Sequence, residues 1–157
     1  MDNERNRTSE DDLYLRDAAP ADGPFVLWLE EVCMKDYAVA LWGEWLQSAT
    51  WDKIDLTDHQ IIELEGQAVG CIASTRFEDS LRVNKLYLRP DYQNRGIGAN
   101  VLKSVIERAR LLGLPIRLSV LTTNPALKFY LREGFSVEAE TAERRTLVMN
   151  SHPQSGI

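Results

Sequence analysis

Leu86-Tyr87-Leu88-Arg89-Pro90-Asp91-Tyr92-Gln93-Asn94-Arg95-Gly96-Ile97-Gly98-Ala99 leads from an apolar segment through a proline stop to two glycines that open a helix. A strand, a tight loop and a helix start in this order can turn several backbone N–H groups toward one point. Unpaired donors and the positive end of the helix dipole then favour an anion there. Gly96 and Gly98 remove the Cβ atoms that would keep a phosphate off the backbone, so the ligand expected is a pyrophosphate. Alone, Gly-x-Gly after a strand serves tight helix packing equally well. Two other phosphate-binding patterns are excluded by residues: no third glycine stands near Leu102, as a dinucleotide fingerprint needs, and no Gly-Lys-Ser/Thr follows, as an NTPase loop needs.

Downstream, Ile97, Val101, Leu102, Val105, Ile106 and Ala109 recur at helical spacing, and Gly113 and Pro115 close that helix in the expected order. Ile116 to Leu121 reads as a short buried strand and Pro125 to Arg132 as a short helix stopped by Gly134. Phe135 to Glu138 and Arg145 to Met149 read as final strands. Upstream, Leu81 to Leu88 is a strand, and Ile61 to Leu64 and Ala68 to Arg76 form a hairpin around Glu65-Gly66-Gln67. Leu13 to Arg16 is a first strand, turned by Pro20, Asp22, Gly23 and Pro24. Two helices are then expected, one carrying Phe25, Trp28, Leu29, Val32 and Cys33, the other running from Tyr37 to Ala49 with Leu41, Trp42, Trp45 and Leu46. No internal repeat is present.

With 157 residues and 44% hydrophobic content the chain suits one domain, expected over residues 12–150 between mobile polar segments at 1–11 and 151–157. The net charge of -6 and pI near 5.0 argue against nucleic acid or an anionic membrane as partner and suit a cationic or amine substrate. Cys33 and Cys71 stand apart, without CxxC spacing or a Cys/His cluster; they are expected to be reduced apolar fillers, and no metal site is indicated. With neither a signal-like apolar segment nor a membrane-length one, a soluble cytoplasmic protein is expected.

Gln93-Asn94-Arg95-Gly96-Ile97-Gly98-Ala99 resembles the Gln/Arg-x-x-Gly-x-Gly/Ala signature of the GNAT acetyltransferases, between the strand and helix that flank it in that family. Asn124-Pro125-Ala126-Leu127-Lys128-Phe129-Tyr130-Leu131-Arg132-Glu133-Gly134-Phe135 resembles the same family's Asn-x-Ala…Tyr…Gly-Phe segment, and the two motifs span Leu81 to Phe135. Leu15 to Asp22 is similar to its first strand and turn. The resemblance implies an α+β fold: a mixed, mostly antiparallel sheet of six or seven strands, helices on both faces, split at a cofactor cleft.

The resemblance also implies roles. A pantetheine arm would lie between strands near Leu86 and Ile116 and bond to the backbone of Leu86 and Leu88, with Tyr87 in the same wall. Gln93, Asn94, Arg95, Gly96, Ile97, Gly98 and Ala99 would hold the pyrophosphate, mainly by backbone N–H groups, with Arg95 adding charge at the rim. Asn124 would contact the pantetheine arm, and Tyr130 would act as general acid for the departing thiolate, its alternative being a core aromatic beside Phe129.

The base is less well marked. Glu63 on the third element is the candidate, with Glu65 nearby, whereas positions where some relatives carry a catalytic acid hold Arg82 and Ser119 here. Among the N-terminal aromatics Trp28 and Trp45 are expected in the core, while Tyr37 and Trp42 are candidates for the substrate pocket. His59 and His152 are expected at a strand end and in the tail. The expectation is N-acetyl transfer from acetyl-CoA to a primary amine of a small molecule or peptide by direct attack in a ternary complex. A catalytically silent acyl-CoA-binding module is the alternative. A homodimer is left open.

Overall fold

The computed structural model describes residues 12–150, so the expectations for the two terminal segments and for His152 lie outside the described residues. The elements in chain order are β1 (Leu13–Asp17), α1 (Gly23–Trp42), β2 (His59–Leu64), β3 (Gln67–Arg76), β4 (Leu81–Leu88), α2 (Ile97–Leu112), β5 (Ile116–Leu121), α3 (Leu127–Arg132), β6 (Ser136–Glu140) and β7 (Arg144–Met149). One seven-stranded sheet has the order β1-β2-β3-β4-β5-β7-β6, and among these pairings only β4 with β5 is parallel.

Adjacent residues on the central strands separate the two faces, because side chains alternate across a sheet. Ile62, Ile72 and Val69 join Val101, Leu102 and Val105 of α2 in the larger core. Ile61 and Cys71 face the other way and pack with Val26 and Leu29 of α1. Helices therefore cover both faces.

Local chemistry explains the boundaries. Glu65 and Gly66, with φ of 52° and 80°, make the two-residue turn between β2 and β3, in which both central residues must be left-handed. Gly113, at φ 69°, ends α2, and Leu114 N–H reaches back to the Ala109 carbonyl at 3.0 Å, closing the helix as a left-handed cap does.

The N-terminal helical region differs from expectation. One continuous helix replaces the predicted pair: α1 passes through Met34-Lys35-Asp36 and stops at Trp42, where Gly43 takes φ 81° and its N–H bonds to Val39. The segment after Gly43, including Trp45 and Leu46, is not helical. Trp28, expected in the core, is 46% exposed and stacks on Phe25 with centroids 6.2 Å apart. No helix among the described residues is long and apolar enough to cross a membrane.

Candidate active site

β4 and β5 pair only at Leu81 with Ile116 and at Arg82 with Arg117. Beyond that fork β4 stays on β3 out to Leu88, and β5 stays on β7 out to Leu121. A bulge helps them part: Ala73 opposes Lys85 while Ser74 opposes Val83, so Asn84 is the extra residue on β4. The gap between the arms encloses about 730 Å³. From Val83 onward, the β4 edge facing it has no strand partner.

The predicted loop stands at the open end. Asn94 (φ 62°) and Gly96 (φ 84°) both take left-handed geometry, which Asn tolerates and Gly favours, and Gly96 caps the start of α2. A Cβ placed on Gly96 would meet nothing within 4 Å, whereas one on Gly98 would make ordinary contact with Phe129 and Leu88. Gln93, Asn94, Gly96, Gly98 and Ala99 line the gap. Ile97 is in the core, so it brings only its backbone to the loop. Arg95 is not among the lining residues; its guanidinium lies 5.0 Å from the Tyr92 ring centroid, with Arg89 at 5.5 Å from the same ring. Lys128 and Arg132 supply cationic lining instead, a contribution that the sequence motif did not mark.

Leu86, Tyr87 and Leu88 form one wall. The Leu88 carbonyl accepts from Gln93 Nε2 at 3.1 Å and from the Cys33 thiol at 3.3 Å. Burial pushes that thiol up to about 11, so Cys33 is a protonated donor in the cleft wall and more than an apolar filler. Asn124 and Tyr130 line the opposite wall. The Asn124 side chain accepts from Ala126 N–H at 2.9 Å, fixing the turn into α3. Tyr130 packs edge-on against Phe129 and Phe135, at 5.0 and 5.6 Å, and burial pushes its phenol up to about 12. The proton therefore stays on the phenol through the neutral range.

α1 lies across the gap. Glu30, Cys33, Met34, Tyr37 and Ala38 follow helical spacing and all line it. Cys33 meets β4 at Leu88, and the Tyr37 carbonyl accepts from Thr123 Oγ1 beyond β5 at 2.8 Å, so the helix touches both arms. Tyr37 and Trp42, candidates for a substrate pocket, are brought into the lining; Trp45, expected in the core, also lines it, and its indole N–H is buried without an acceptor.

Glu63 is not brought to the site. Its Oε2 accepts from Arg16 Nε at 2.8 Å, while the same guanidinium bonds both oxygens of Asp22, at 2.8 and 3.0 Å. The guanidinium also holds the Asp22 carboxyl below the usual range. Glu63 faces β1, outside the gap lining, because Tyr14 is its strand partner and Arg16 sits two residues along. Glu63→Gln is therefore expected to leave turnover within twofold and to cost at most about 1 kcal/mol in denaturant unfolding, the range of partly exposed ion pairs. A large loss of turnover without loss of stability would return Glu63 to the chemistry.

The carboxylate that does line the gap is Glu30, which the sequence reading missed. The available signal was its position within the apolar stripe Val26, Leu29, Cys33, where a carboxylate is out of place on a buried face.

A split mixed sheet with an anion-favouring loop at its wide end defines an α+β domain with room for an extended, phosphorylated ligand between two strands. The chain belongs to the GNAT acetyltransferase domain family, whose model matches residues 56–137. It is 33% identical over 88 residues to an amino-acid acetyltransferase of Shewanella oneidensis; the match takes in 55% of this chain but spans only 19% of that relative's length. Among solved structures, the PaiA N-acetyltransferase of Thermoplasma acidophilum in complex with coenzyme A superposes with a TM-score of 0.73 at 16% identity, over 88% of this chain and 98% of that one. The N-acetylglutamate synthase of Neisseria gonorrhoeae, complexed with coenzyme A and N-acetyl-glutamate, gives 0.67 at 20% identity over 90% of this chain and 35% of that one. At these identities the structural likeness is one of fold.

Proposed function

We infer that residues 12–150 form a single catalytic domain that transfers an acetyl group from acetyl-CoA to a primary amine of a small molecule or peptide. The observation that carries this reading is the fork of β4 from β5 after two residue pairs, with the Gln93–Ala99 loop at its open end and Tyr130 on its wall. The open edge of β4 can bond an extended pantetheine arm as an added strand. N–H groups at the start of α2, helped by Lys128 and Arg132, suit a pyrophosphate, and the open space at Gly96 leaves room for it. The thioester supplies an acyl carbon activated for attack by a neutral amine.

Two residues of the chain then serve the transfer. In this reading the N–H of Leu88 polarises the thioester carbonyl, and the protonated Tyr130 phenol, in the gap lining, gives its proton to the leaving sulfur. Direct attack in a ternary complex is favoured because no lining cysteine is activated: burial raises the Cys33 thiol, which makes it a poor nucleophile. The net charge of -6 supports an amine acceptor over nucleic acid, and the cytoplasm is the compartment that fits this reading.

Thermal unfolding tests it first. Acetyl-CoA at about a hundred times its Kd is expected to add about 2.7 kcal/mol, which for a chain of this size raises Tm by about 5–10 °C. ATP and NAD at equal concentration are expected to give no comparable shift. No shift with acetyl-CoA would defeat the reading. A shift without CoA release over a broad amine panel would support the silent binding module.

A further inference from the structure

We propose that Glu30 receives the acceptor, a protonated primary amine on an apolar or aromatic body, and removes its proton ahead of attack. This rests on the acetyl-transfer reading above. Glu30 is 9% exposed and lines the gap; its Oε1 accepts from Ser48 Oγ at 2.9 Å, while its buried Oε2 has no hydrogen-bond partner. Lys85 Nζ is 3.4 Å from Oε2, close enough to pair electrostatically but not aligned as a hydrogen bond, so one lone-pair direction stays available. A buried carboxylate with an unused acceptor position is costly to keep unless something donates to it. An ammonium group entering the gap is such a donor.

Position along the cleft assigns Glu30 to the acceptor. On β4, Lys85 is three residues nearer the fork than Leu88, and on α1 Glu30 is one turn before Cys33, which meets Leu88. The pair therefore lies on the fork side of Leu88, away from the anion loop. Met34, Tyr37, Trp42 and Trp45 continue the lining from there, with the Arg144 guanidinium 5.8 Å from the Trp42 ring centroid, so aromatic faces and one fixed cation surround the body of the amine, and the unpaired Trp45 N–H can serve a polar atom on it.

The proton balance is complete without an added reactant. The ammonium gives one proton to the Glu30 carboxylate. The nitrogen lone pair forms the C–N bond at the thioester carbonyl, the C–S bond breaks, and sulfur takes the Tyr130 proton. A second proton from nitrogen restores the phenol, and Glu30 returns its proton to solvent.

Other titratable groups face Glu30 from each neighbouring strand: Lys85 and Tyr87 on β4, His59 on β2 and Cys71 on β3. Burial pushes the Cys71 thiol up to about 12 and the Tyr87 phenol further still, and burial with the Lys85 charge pushes the His59 imidazole down. All three stay neutral around pH 7. Lys85 and Glu30 are then the charged pair beside the acceptor position.

The test uses the full chain with acetyl-CoA and 2-phenylethylamine, following release of the CoA thiol. Glu30→Gln leaves Lys85 buried without its partner, so Glu30→Gln with Lys85→Met is made alongside it to remove both charges and protect the fold. Both variants are expected to keep the acetyl-CoA thermal shift, and kcat at pH 7 is expected to fall by about tenfold or more. That deficit should narrow as pH rises toward the amine's own pKa, where solvent supplies the free amine. A kcat within twofold of the parent in the double variant, a deficit constant with pH, or no thiol release by the parent with this amine would each overturn the proposal. Loss of the parent's acetyl-CoA shift would instead defeat the acetyl-transfer reading beneath it.

Discussion

Replacing Tyr130 by Phe is expected to lower kcat by about a hundredfold or more, with acetyl-CoA affinity unchanged within twofold. The substitution removes one hydroxyl and nothing else. Tyr130 is 8% exposed, and its ring is held by edge-on contacts with Phe129 and Phe135 that a Phe ring reproduces. In the proposed transfer, thiolate departure is where the hydroxyl matters, because sulfur leaves with an electron pair and the phenol would supply the proton. Burial pushes this phenol up to about 12, so the form that donates persists as pH rises. The parent protein is then expected to show no alkaline loss of turnover from Tyr130 until pH approaches that value. Single-turnover rates with acetyl-CoA, beside a binding titration, check both parts; an unchanged rate would remove Tyr130 from the mechanism and leave it a core aromatic.

The second large effect is on the fold, at a glycine outside the motif. A Cβ on Gly70 would lie 2.3 Å from the Tyr87 carbonyl oxygen, 2.7 Å from Leu88 Cδ2 and 3.2 Å from Leu88 Cα. Gly70 is the strand partner of Leu88, so two of the three obstructing atoms are backbone and cannot rotate away. Gly70→Ala is expected to cost about 3 kcal/mol, at the upper end for overpacking, and to lower Tm by about 6–12 °C. β4 would have to move off β3 at the end where it forms the cleft wall, so acetyl-CoA affinity should fall with stability. Denaturant unfolding and a binding titration on one preparation test this. An Ala variant as stable as the parent would mean that β4 shifts freely, contrary to the close packing of the two strands.

The parts of the molecule legible in the sequence are those governed by local chemistry. Gly96 and Pro90 punctuate the loop, Gly113 ends α2, and Glu65-Gly66 turns the hairpin, each through a backbone requirement confined to a few residues. The wall of Leu86, Tyr87 and Leu88 followed, because the motif carries its own strand and helix with it. α1 was misread for a physical reason: its first half packs on the sheet with Val26 and Leu29, while its second half crosses the gap with Met34, Tyr37 and Ala38. Val26, Leu29, Cys33 and Tyr37 keep one helical face throughout, but Trp28, Val32 and Val39 are exposed on the other side, so apolar residues surround the helix and blur its period. Trp45 and Leu46 beyond Gly43 prolonged the pattern although the helix had ended.

Glu63 and Glu30 show the other limit. One is taken by Arg16, 47 residues away, and the other meets Lys85, 55 residues away. Which carboxylate faces the cleft is decided by strand register and helix placement, and spacing along the chain carries no trace of either.

The two halves of the sheet are joined by a waist only two residue pairs long, with α1 touching both arms above it. Such a sheet resembles two stiff blades on a short pivot, and their spread is set by the bar laid across them. Under the proposed function, changes along α1 would widen or narrow the mouth for different acceptors while the Gln93–Ala99 loop, anchored on one blade by β4 and α2, keeps its shape. Acceptor range and coenzyme grip would thereby be separable traits, adjustable by substitutions in different segments of the chain.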